Sequence, residues 1–429
     1  MKCIDPESDA AEVLSLLALL PLKTGYVPRE WRKGINSMIP KKMHDLRPEK
    51  LRLILLMDSR FNHNNKIIGK RMMEFGEKHN LLAEEQYGSR KSKSAIDHAL
   101  NKRLVLDIIR QTKTPAIYCA NDAKSCYDRI LLMVAYLTMR KFGITEMAAK
   151  CAVSGLIQME HRVRTVYGDS DSYYGGSKWK DAEQFPHGNG QGNGDGPSLW
   201  AAISSPLLQI LREMGYGIEF DSPIGKKKMK LSAFGFVDDM DFVHTARKDE
   251  DEEQVWEKAQ EGMKLWESLL RTTGGALELS DTKTDFVRIG FKWKNGRYKL
   301  MKKDDNKVLR VRDHEGNMQD IKQLNPEDAR ETLGVFQSAN GSEKAQVKKL
   351  TKKAQEWVGN IRKSGLRPDE APNPKNTTLL PSCNCNDTGR MSRNTQEVFG
   401  WGASKDKNCP NSIKETCVCS PENTWLRIC

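Results

Sequence analysis

The segment FGFVDDMDFV, residues 234–243, places two adjacent aspartates, Asp238 and Asp239, inside a run of apolar residues. The apolar residues on either side predict two strands joined as a hairpin, with the acidic pair at its tip. Adjacent carboxylates in apolar surroundings repel each other and lose hydration. A chain that keeps them there needs a compensating group elsewhere in its sequence.

The chain length and composition limit the class of protein. A chain of 429 residues is long enough for two or three domains. No run of about 18 apolar residues occurs, so no transmembrane helix and no membrane association are expected. Residues 10–22, AAEVLSLLALLPL, follow acidic residues, which favours a buried or amphipathic helix over a signal peptide. We therefore expect an intracellular protein of the cytoplasm or nucleus that is not secreted.

The charge balance points to the kind of partner. The formal net charge is +12. A basic excess favours a polyanion such as nucleic acid, because neutralised phosphates release counterions. A solvated basic surface is the alternative, so net charge alone gives only a mild preference for nucleic acid.

The cysteines are distributed unevenly along the chain. The scattered thiols of the first 380 residues are typical of a reducing compartment. Six cysteines crowd into the last 47 residues, where Asn, Thr, Ser and Pro are also frequent. Their Cys-x-Cys spacing differs from that of zinc sites, and no His lies between the pairs. Residues 372–429 are therefore predicted to be a disordered or frameshift-like Cys-rich tail.

Periodicity places the secondary structure around the acidic pair. The pattern predicts a strand over 116–122, AIYCAND, that ends on Asp122. Residues 294–330 are charged and predict a loop or a small hairpin. Helices are predicted over 95–113, 128–143, 197–215, 249–275 and 343–365.

The acidic residues at these strand ends form a candidate metal site. If the strands are neighbours, Asp122 converges with Asp238 and Asp239. Carboxylate oxygens of this kind suit Mg²⁺, which uses substrate phosphates as further ligands. Two such ions about 3.5–4 Å apart would stabilise the attacking and leaving oxygens of a phosphoryl transfer.

The order and spacing of four short motifs resemble the reverse transcriptase domain of non-LTR (LINE-like) retrotransposons. The resemblance covers roughly residues 25–365, and four motifs in order are far more specific than a lone VDD. The matching residues are Asp122, Tyr127 and Asp128 in the first motif, Gly190, Gln191 and Gly192 in the second, Phe236, Val237, Asp238 and Asp239 in the third, and Gly275 and Lys283 in the fourth.

The resemblance implies an α+β fold of the right-hand polymerase type, with fingers, a palm with an antiparallel sheet and flanking helices, and a partial thumb. The fingers, with an N-terminal extension, would take residues 1–115. The palm would take 116–292, with a fingers insertion around 160–190. The palm–thumb connection and partial thumb would take 293–371.

The resemblance also implies catalytic roles. Asp122 and Asp238 would be the main metal ligands, with Asp239 a weaker or outer ligand. The metal would be Mg²⁺, with Mn²⁺ as the alternative ion. Lys283 would donate a proton to the departing pyrophosphate.

The same resemblance implies a nucleotide-binding set. Tyr127 would lie under the incoming sugar and exclude a 2′-hydroxyl, while Gln191 and Gly192 would approach the template–nucleotide pair. We also expect Asp128 to cap the following helix and Asp195 to place an extra acid near the template. The triphosphate is assigned to three basic residues: Lys41, Lys42 and Arg52.

The expected activity is that of an RNA-directed DNA polymerase, a nucleotidyltransferase of a retrotransposon. It would extend the 3′-hydroxyl of a DNA or RNA primer with dNTPs on an RNA template. One alternative is a truncated, inactive nucleic-acid-binding remnant of such an element. Another is an RNA-dependent RNA polymerase, against which the sugar-gate role of Tyr127 speaks. The oligomeric state is not assigned.

Overall fold

The computed structural model describes residues 5, 7–41, 45–176, 188–221, 228–280, 283–304 and 306–364. Contacts between Cα atoms divide the chain into two units, Met1–Gln346 and Val347–Cys429. Lys42 and the predicted tail lie outside the described residues. Within the described ranges, no helix has the length and apolar character needed to cross a membrane.

The helices are numbered in chain order. The helices predicted over 95–113, 197–215, 249–275 and 343–365 are confirmed as α3, α7, α8 and α9. The full set in the described ranges is α1 Asp9–Thr24, α2 Ser59–Lys78, α3 Ala95–Thr112, α4 Cys126–Arg129, α5 Leu132–Lys141, α6 Glu146–Ile157, α7 Gly196–Glu213, α8 Glu252–Thr272 and α9 Lys344–Ser364.

The strands are numbered in the same way. The strand predicted over 116–122 is confirmed as β3. The described strands are β1 Lys33–Pro40, β2 Leu51–Met57, β3 Ala116–Asp122, β4 Glu160–Thr165, β5 Gly168–Asp169, β6 Tyr174–Gly175, β7 Ile218–Asp221, β8 Lys228–Leu231, β9 Ala233–Phe236, β10 Asp239–Thr245, β11 Asp285–Ile289, β12 Phe291–Lys294, β13 Arg297–Leu300, β14 Arg310–Arg312, β15 Met318–Asp320, β16 Lys322–Leu324, β17 Arg330–Thr332 and β18 Val335–Gln337.

Two of the sequence predictions differ from the structure. The helix predicted over 128–143 is broken, because α4 ends at Arg129 and α5 begins at Leu132. The backbone at the break is used elsewhere: the Ile130 carbonyl accepts from Gly188 N–H at 2.8 Å, and Leu131 N–H donates to the Thr273 carbonyl at 2.9 Å. The region predicted as a loop or small hairpin contains four strands, β13 to β16.

The central sheet has the strand order β16-β11-β3-β10-β9. Its pairs are antiparallel except β11 with β16. Both faces of β3 are covered, since Ile117 and Cys119 belong to one buried cluster and Tyr118 and Ala120 to the other. Burial on both faces explains why the strand reads as a continuous apolar run.

Helices cover the two faces of this sheet. Trp200 of α7 and Trp266 of α8 belong to the larger cluster, and Val105 and Ile109 of α3 belong to the smaller one. A second sheet has the order β2-β1-β4-β5, with β6 also pairing to β4. Helices and mainly antiparallel sheets together confirm the predicted α+β class. The fingers, palm and thumb boundaries stay predictions.

The turn between β9 and β10 is a two-residue turn with a strained backbone. Phe236 and Asp239 are register partners, so Val237 and Asp238 form the turn. Val237 has φ 58°, a left-handed conformation that is costly for a β-branched residue. The surrounding structure must therefore hold the turn in place.

Gln86 and Trp200 hold this turn. The Gln86 side chain accepts from Val237 N–H at 2.9 Å and donates to the Val237 carbonyl at 3.1 Å. Trp200 Nε1 donates to the same carbonyl at 2.8 Å. A Cβ at Gly88 would overlap the Val237 backbone, so glycine is required there. These contacts fix the direction in which the acidic pair points.

A buried ion pair joins α3 to the central sheet near the acidic pair. Lys102 Nζ of α3 lies 2.8 Å from Asp241 Oδ2 of β10, and the two side chains are 2% and 3% exposed. Burial alone would raise the pKa of Asp241, but the Lys102 ammonium lowers it. Lys102 also donates to Thr332 Oγ1 at 2.9 Å. The pair therefore joins α3, β10 and β17, and Asp241 is structural.

We expect Lys102→Met to lower the free energy of unfolding by about 3–5 kcal/mol, because Asp241 is left buried without its cation. Urea unfolding followed by circular dichroism measures this loss. The double variant Lys102→Met/Asp241→Leu should recover most of the stability. A single variant as stable as the double variant would contradict the role given to the pair.

We expect Gln86→Leu to lower the free energy of unfolding by about 2–3 kcal/mol, because the Val237 N–H loses its buried acceptor. Gln209→Leu is the matched control, since Gln209 is exposed on α7 and, among the described residues, its side chain bonds only Glu213. Urea unfolding compares the two variants. Equal losses would show that Gln86 does not hold the turn.

Candidate active site

Three carboxylates meet at one end of the central sheet. Asp122 ends β3 and Asp239 begins β10, and the two are antiparallel register partners. Asp238 lies in the adjoining turn, and all three side chains are half-buried. The structure thus brings together the acidic residues that the sequence places more than a hundred positions apart.

The pKa values show that these carboxylates interact. Burial, followed by the charges of Asp238, Asp241 and Asp122, raises the pKa of Asp239 to about 6. Burial and the charge of Asp122 also raise the pKa of Asp238. Like charges at close range favour protonation or a bound cation. The site is therefore short of positive charge.

Lys283 supplies one positive charge to the site. It lies two residues before β11, and because Asp285 is the register partner of Ala120, the chain brings Lys283 level with Asp122. Its ammonium bonds Asp122 Oδ2. Burial alone would lower the pKa of Lys283, but the bond to Asp122 raises it.

The described residues hold no group of three or more His, Cys, Asp or Glu side chains already arranged around a metal position. The donor set nevertheless fits a hard cation in its chemistry, since it consists of carboxylates and the charge of Asp122 helps to raise the pKa values of Asp238 and Asp239. Asp122 would have to exchange Lys283 for the ion.

The Gly-Gln-Gly loop is hydrogen-bonded to Asp128 of α4 and to β2. Gln191 N–H donates to Asp128 Oδ1 at 3.1 Å, and the Gln191 carbonyl accepts from Leu55 N–H of β2 at 2.7 Å. Gly192 has φ 123°, and a Cβ there would overlap the Leu55 carbonyl oxygen. Glycine is therefore required where the loop approaches β2.

Tyr127 lies between the carboxylates and this loop. Its carbonyl accepts from Asn189 N–H at 2.6 Å. Its ring lies 3.4 Å from the position that a Cβ on Gly196 would take. Burial and the charge of Asp238 raise the pKa of the Tyr127 phenol, so the ring is neutral. The half-buried side chain is thus near enough to Asp238 to be affected by its charge.

The three basic residues assigned to the triphosphate differ in their positions relative to the carboxylates and in whether the structure describes them. Arg52 is exposed on β2. Its charge partly opposes the rise that burial causes in the pKa of Asp238. Lys41 is exposed at the end of the β1–β2 hairpin, where its N–H donates to the Lys50 carbonyl at 3.1 Å. Lys42 lies outside the described residues.

Two expectations are wrong. Asp128 is not a helix cap, because it lies inside α4, where Ser125 is the N-cap residue, and its carboxylate accepts from Gln191 instead. Asp195 does not present an acid to a template, because it is fully buried and accepts from Asn189 Nδ2 at 2.7 Å. Burial raises the pKa of Asp195 to about 6.

Sequence reasoning missed the two side chains that position the acidic pair. Gln86 and Trp200 act on the backbone of Val237, so no spacing rule in the sequence connects them to Asp238. The available signal was Gln86 within EEQYGSR, a polar residue inside the predicted fingers region 1–115. Trp200 reads simply as an apolar position of α7.

Comparisons with known proteins show which family the chain belongs to. The family model described as Reverse transcriptase (RNA-dependent DNA polymerase) matches residues 39–335. A comparison with curated proteins gives no match. Apo telomerase from Candida tropicalis, truncated from its C-terminal domain, is 14% identical with a TM-score of 0.40, over 68% of this chain and 57% of that chain.

Telomerase from Candida albicans, in complex with the TWJ fragment of telomeric RNA, is 11% identical with a TM-score of 0.40. That match covers 77% of this chain and 50% of the other. The chain thus spans about half the length of these solved structures.

The family match contains every described residue of the carboxylate site and of the Gly-Gln-Gly loop. The α+β right-hand polymerase class predicted from the sequence is confirmed. Since the match covers well over half of the 429 residues, the chain belongs to the reverse transcriptase (RNA-dependent DNA polymerase) family.

Proposed function

We propose that this chain is an RNA-directed DNA polymerase that extends a primer 3′-hydroxyl with dNTPs. The observation that carries the proposal is the register pairing of Asp122 with Asp239, next to Asp238, in a chain of this family. The partners would be an RNA template, a DNA or RNA primer and dNTPs. The order of the four sequence motifs supports a non-LTR retrotransposon as the source.

Asp122 and Asp238 would hold divalent cations, with Asp239 as the weaker ligand. Mg²⁺ would be the ion, with Mn²⁺ as the alternative, and a bound pair would neutralise charge on the oxygens of the transferred phosphoryl group. The raised pKa values of Asp238 and Asp239 support this, because they reflect negative charge without enough counter-charge.

The chain's own residues would position the substrates. Tyr127 would support the sugar and exclude a 2′-hydroxyl by contact, because its ring lies close to Gly196 of α7 and its backbone carbonyl is bonded by Asn189 N–H. Gln191 and Gly192 would let the backbone approach the template–nucleotide pair. Arg52 and Lys41 would bind the triphosphate, for which guanidinium and ammonium groups are suited.

Lys283 would hold a proton for the departing pyrophosphate. Its bond to Asp122 keeps the ammonium charged and at the site. A change of partner from Asp122 to the leaving group would bring the proton within reach of the oxygen that gains charge.

A second candidate is an inactive nucleic-acid-binding remnant. The contact between Lys283 and Asp122 favours it, because this ion pair ties up one of the expected metal ligands. A primer-extension assay on poly(rA)/oligo(dT) with Mg²⁺ and dTTP separates the two. Binding without incorporation would favour the remnant.

We expect Asp238→Asn to lower the rate of dTTP incorporation by more than about 10²-fold, because a ligand for the transferring charge is lost. Its affinity for the primer–template should stay within about threefold of wild type, since that affinity depends on phosphate contacts. Asp249→Asn is the control, because Asp249 is exposed after β10. Retained extension by Asp238→Asn would overturn the metal-ligand assignment.

We expect Tyr127→Ala to reduce the preference for dTTP over UTP by about tenfold or more, because the ring no longer excludes a 2′-hydroxyl. Single-nucleotide incorporation with each substrate measures this. Tyr167→Ala is the control, since that side chain is 94% exposed. A wild-type chain that already uses UTP as well as dTTP would instead support an RNA polymerase.

A further inference from the structure

A small hairpin projects from the core of the larger unit. β12 and β13 form it over residues 291–300, FKWKNGRYKL. Asn295 and Gly296 form its turn with φ values of 52° and 72°, as a two-residue hairpin turn requires. The backbone closes at the base, where Met301 N–H donates to the Gly290 carbonyl at 2.9 Å.

One face of the hairpin is aromatic at its tip. Phe291 and Leu300 are register partners at the base and pack against the smaller buried cluster. Trp293 and Tyr298 are the next pair on that face and are 64% and 55% exposed. Their rings meet edge to face, with centroids 4.9 Å apart and an interplanar angle of 77°.

The opposite face carries only positive charge. Lys292 is the register partner of Lys299, and Lys294 is the partner of Arg297. All four side chains are exposed, and no described carboxylate forms an ion pair with any of them. Like charges directly across a strand pair are destabilising. This face therefore gains stability when a polyanion neutralises it.

The hairpin lies away from the carboxylate site. β11 leads from that site toward it, since Asp285 is level with Ala120 and Ile289 is level with Ala116. At about 3.3 Å per residue, Gly290 lies roughly 20 Å along the strand from Lys283. A nucleotide bound at the carboxylates would not reach the hairpin, but a polymer extending from the site would.

We propose that the hairpin 291–300 binds single-stranded nucleic acid outside the active site. The four cations would contact backbone phosphates, and Trp293 would stack on an unpaired base. The aromatic tip favours a single strand over a duplex, because the bases of a duplex are already stacked on one another. The inference rests on the nucleic-acid handling proposed above, but not on catalysis.

The first test removes the charge and keeps the fold. In the variant K292Q/K294Q/R297Q/K299Q, cross-strand repulsion is relieved, so the hairpin should be no less stable than in wild type. Fluorescence anisotropy with a labelled oligo(rU) of about 20 nucleotides should show at least tenfold weaker binding at 0.1 M salt, and a salt dependence shallower by about 2–3 in log–log slope.

A matched control separates a local site from overall charge. It replaces four exposed lysines on α2, α5 and α8 and so makes the same change in net charge: K70Q, K78Q, K141Q and K264Q. The control should change affinity by no more than about threefold. Equal losses in the two quadruple variants would overturn the proposal.

The second test addresses stacking. W293L should weaken oligo(rU) binding at least fivefold, since base–aromatic stacking contributes about 1–3 kcal/mol per base. Its affinity for a blunt RNA–DNA duplex of the same length should stay within about twofold. Unchanged oligo(rU) binding, or an equal loss for the duplex, would overturn the assignment to a single strand.

Primer extension in the same preparations separates this proposal from the proposed function. Oligo(rU) binding that depends on the hairpin in a chain without extension would sustain the inference and refute the polymerase. Primer extension by a chain whose oligo(rU) binding does not depend on the hairpin would support the polymerase and refute the inference.

Discussion

The repulsion between Asp122 and Asp239 is the constraint on which this structure depends. The two residues are direct register partners at the end of two buried strands. Register in a sheet that is covered on both faces is strongly fixed, because a one-residue slip would turn every side chain to the opposite face. The chain cannot separate these carboxylates by sliding a strand, so it must supply counter-charge. Lys283 supplies part of it, and divalent cations would supply the rest.

The segments around the carboxylates are held by polar contacts between parts of the chain that are distant in sequence. Gln86 and Trp200 fix the strained turn at Val237. Asp128 holds the Gly-Gln-Gly loop through Gln191 N–H. Such buried hydrogen bonds specify one arrangement, because leaving any of these groups unpaired is costly. These contacts therefore hold the turn and the loop in one arrangement beside the carboxylates.

The sequence predicts the elements of this site better than the contacts between them. The strand that ends on Asp122 and the hairpin at Asp238 follow from apolar patterning, which local sequence determines. Asp195 is predicted near a template because it closely follows the Gly-Gln-Gly motif, yet the loop packs against β2 and the acid is buried. Position in a loop does not reveal which of its side chains turn inward.

The same limit applies to the side chains that make contacts over long distances in the sequence. Gln86 acts on a backbone 151 positions away, and Lys102 pairs with Asp241 across 139 positions. Contacts between residues so far apart in the sequence depend on the tertiary fold, and no periodic pattern in the sequence indicates them. The hairpin 291–300 is the opposite case: its Asn-Gly turn is a local signal, and a small hairpin was one of the two structures predicted for the charged segment that begins at residue 294.

The most direct test of the central claim is a count of divalent ions at the carboxylates. Electron paramagnetic resonance of Mn²⁺ can measure ions bound to the wild-type chain with primer–template and a non-hydrolysable dNTP. We expect tightly bound Mn²⁺ in wild type and in Asp249→Asn, and its loss in Asp122→Asn. Equal Mn²⁺ binding by wild type and Asp122→Asn would contradict it.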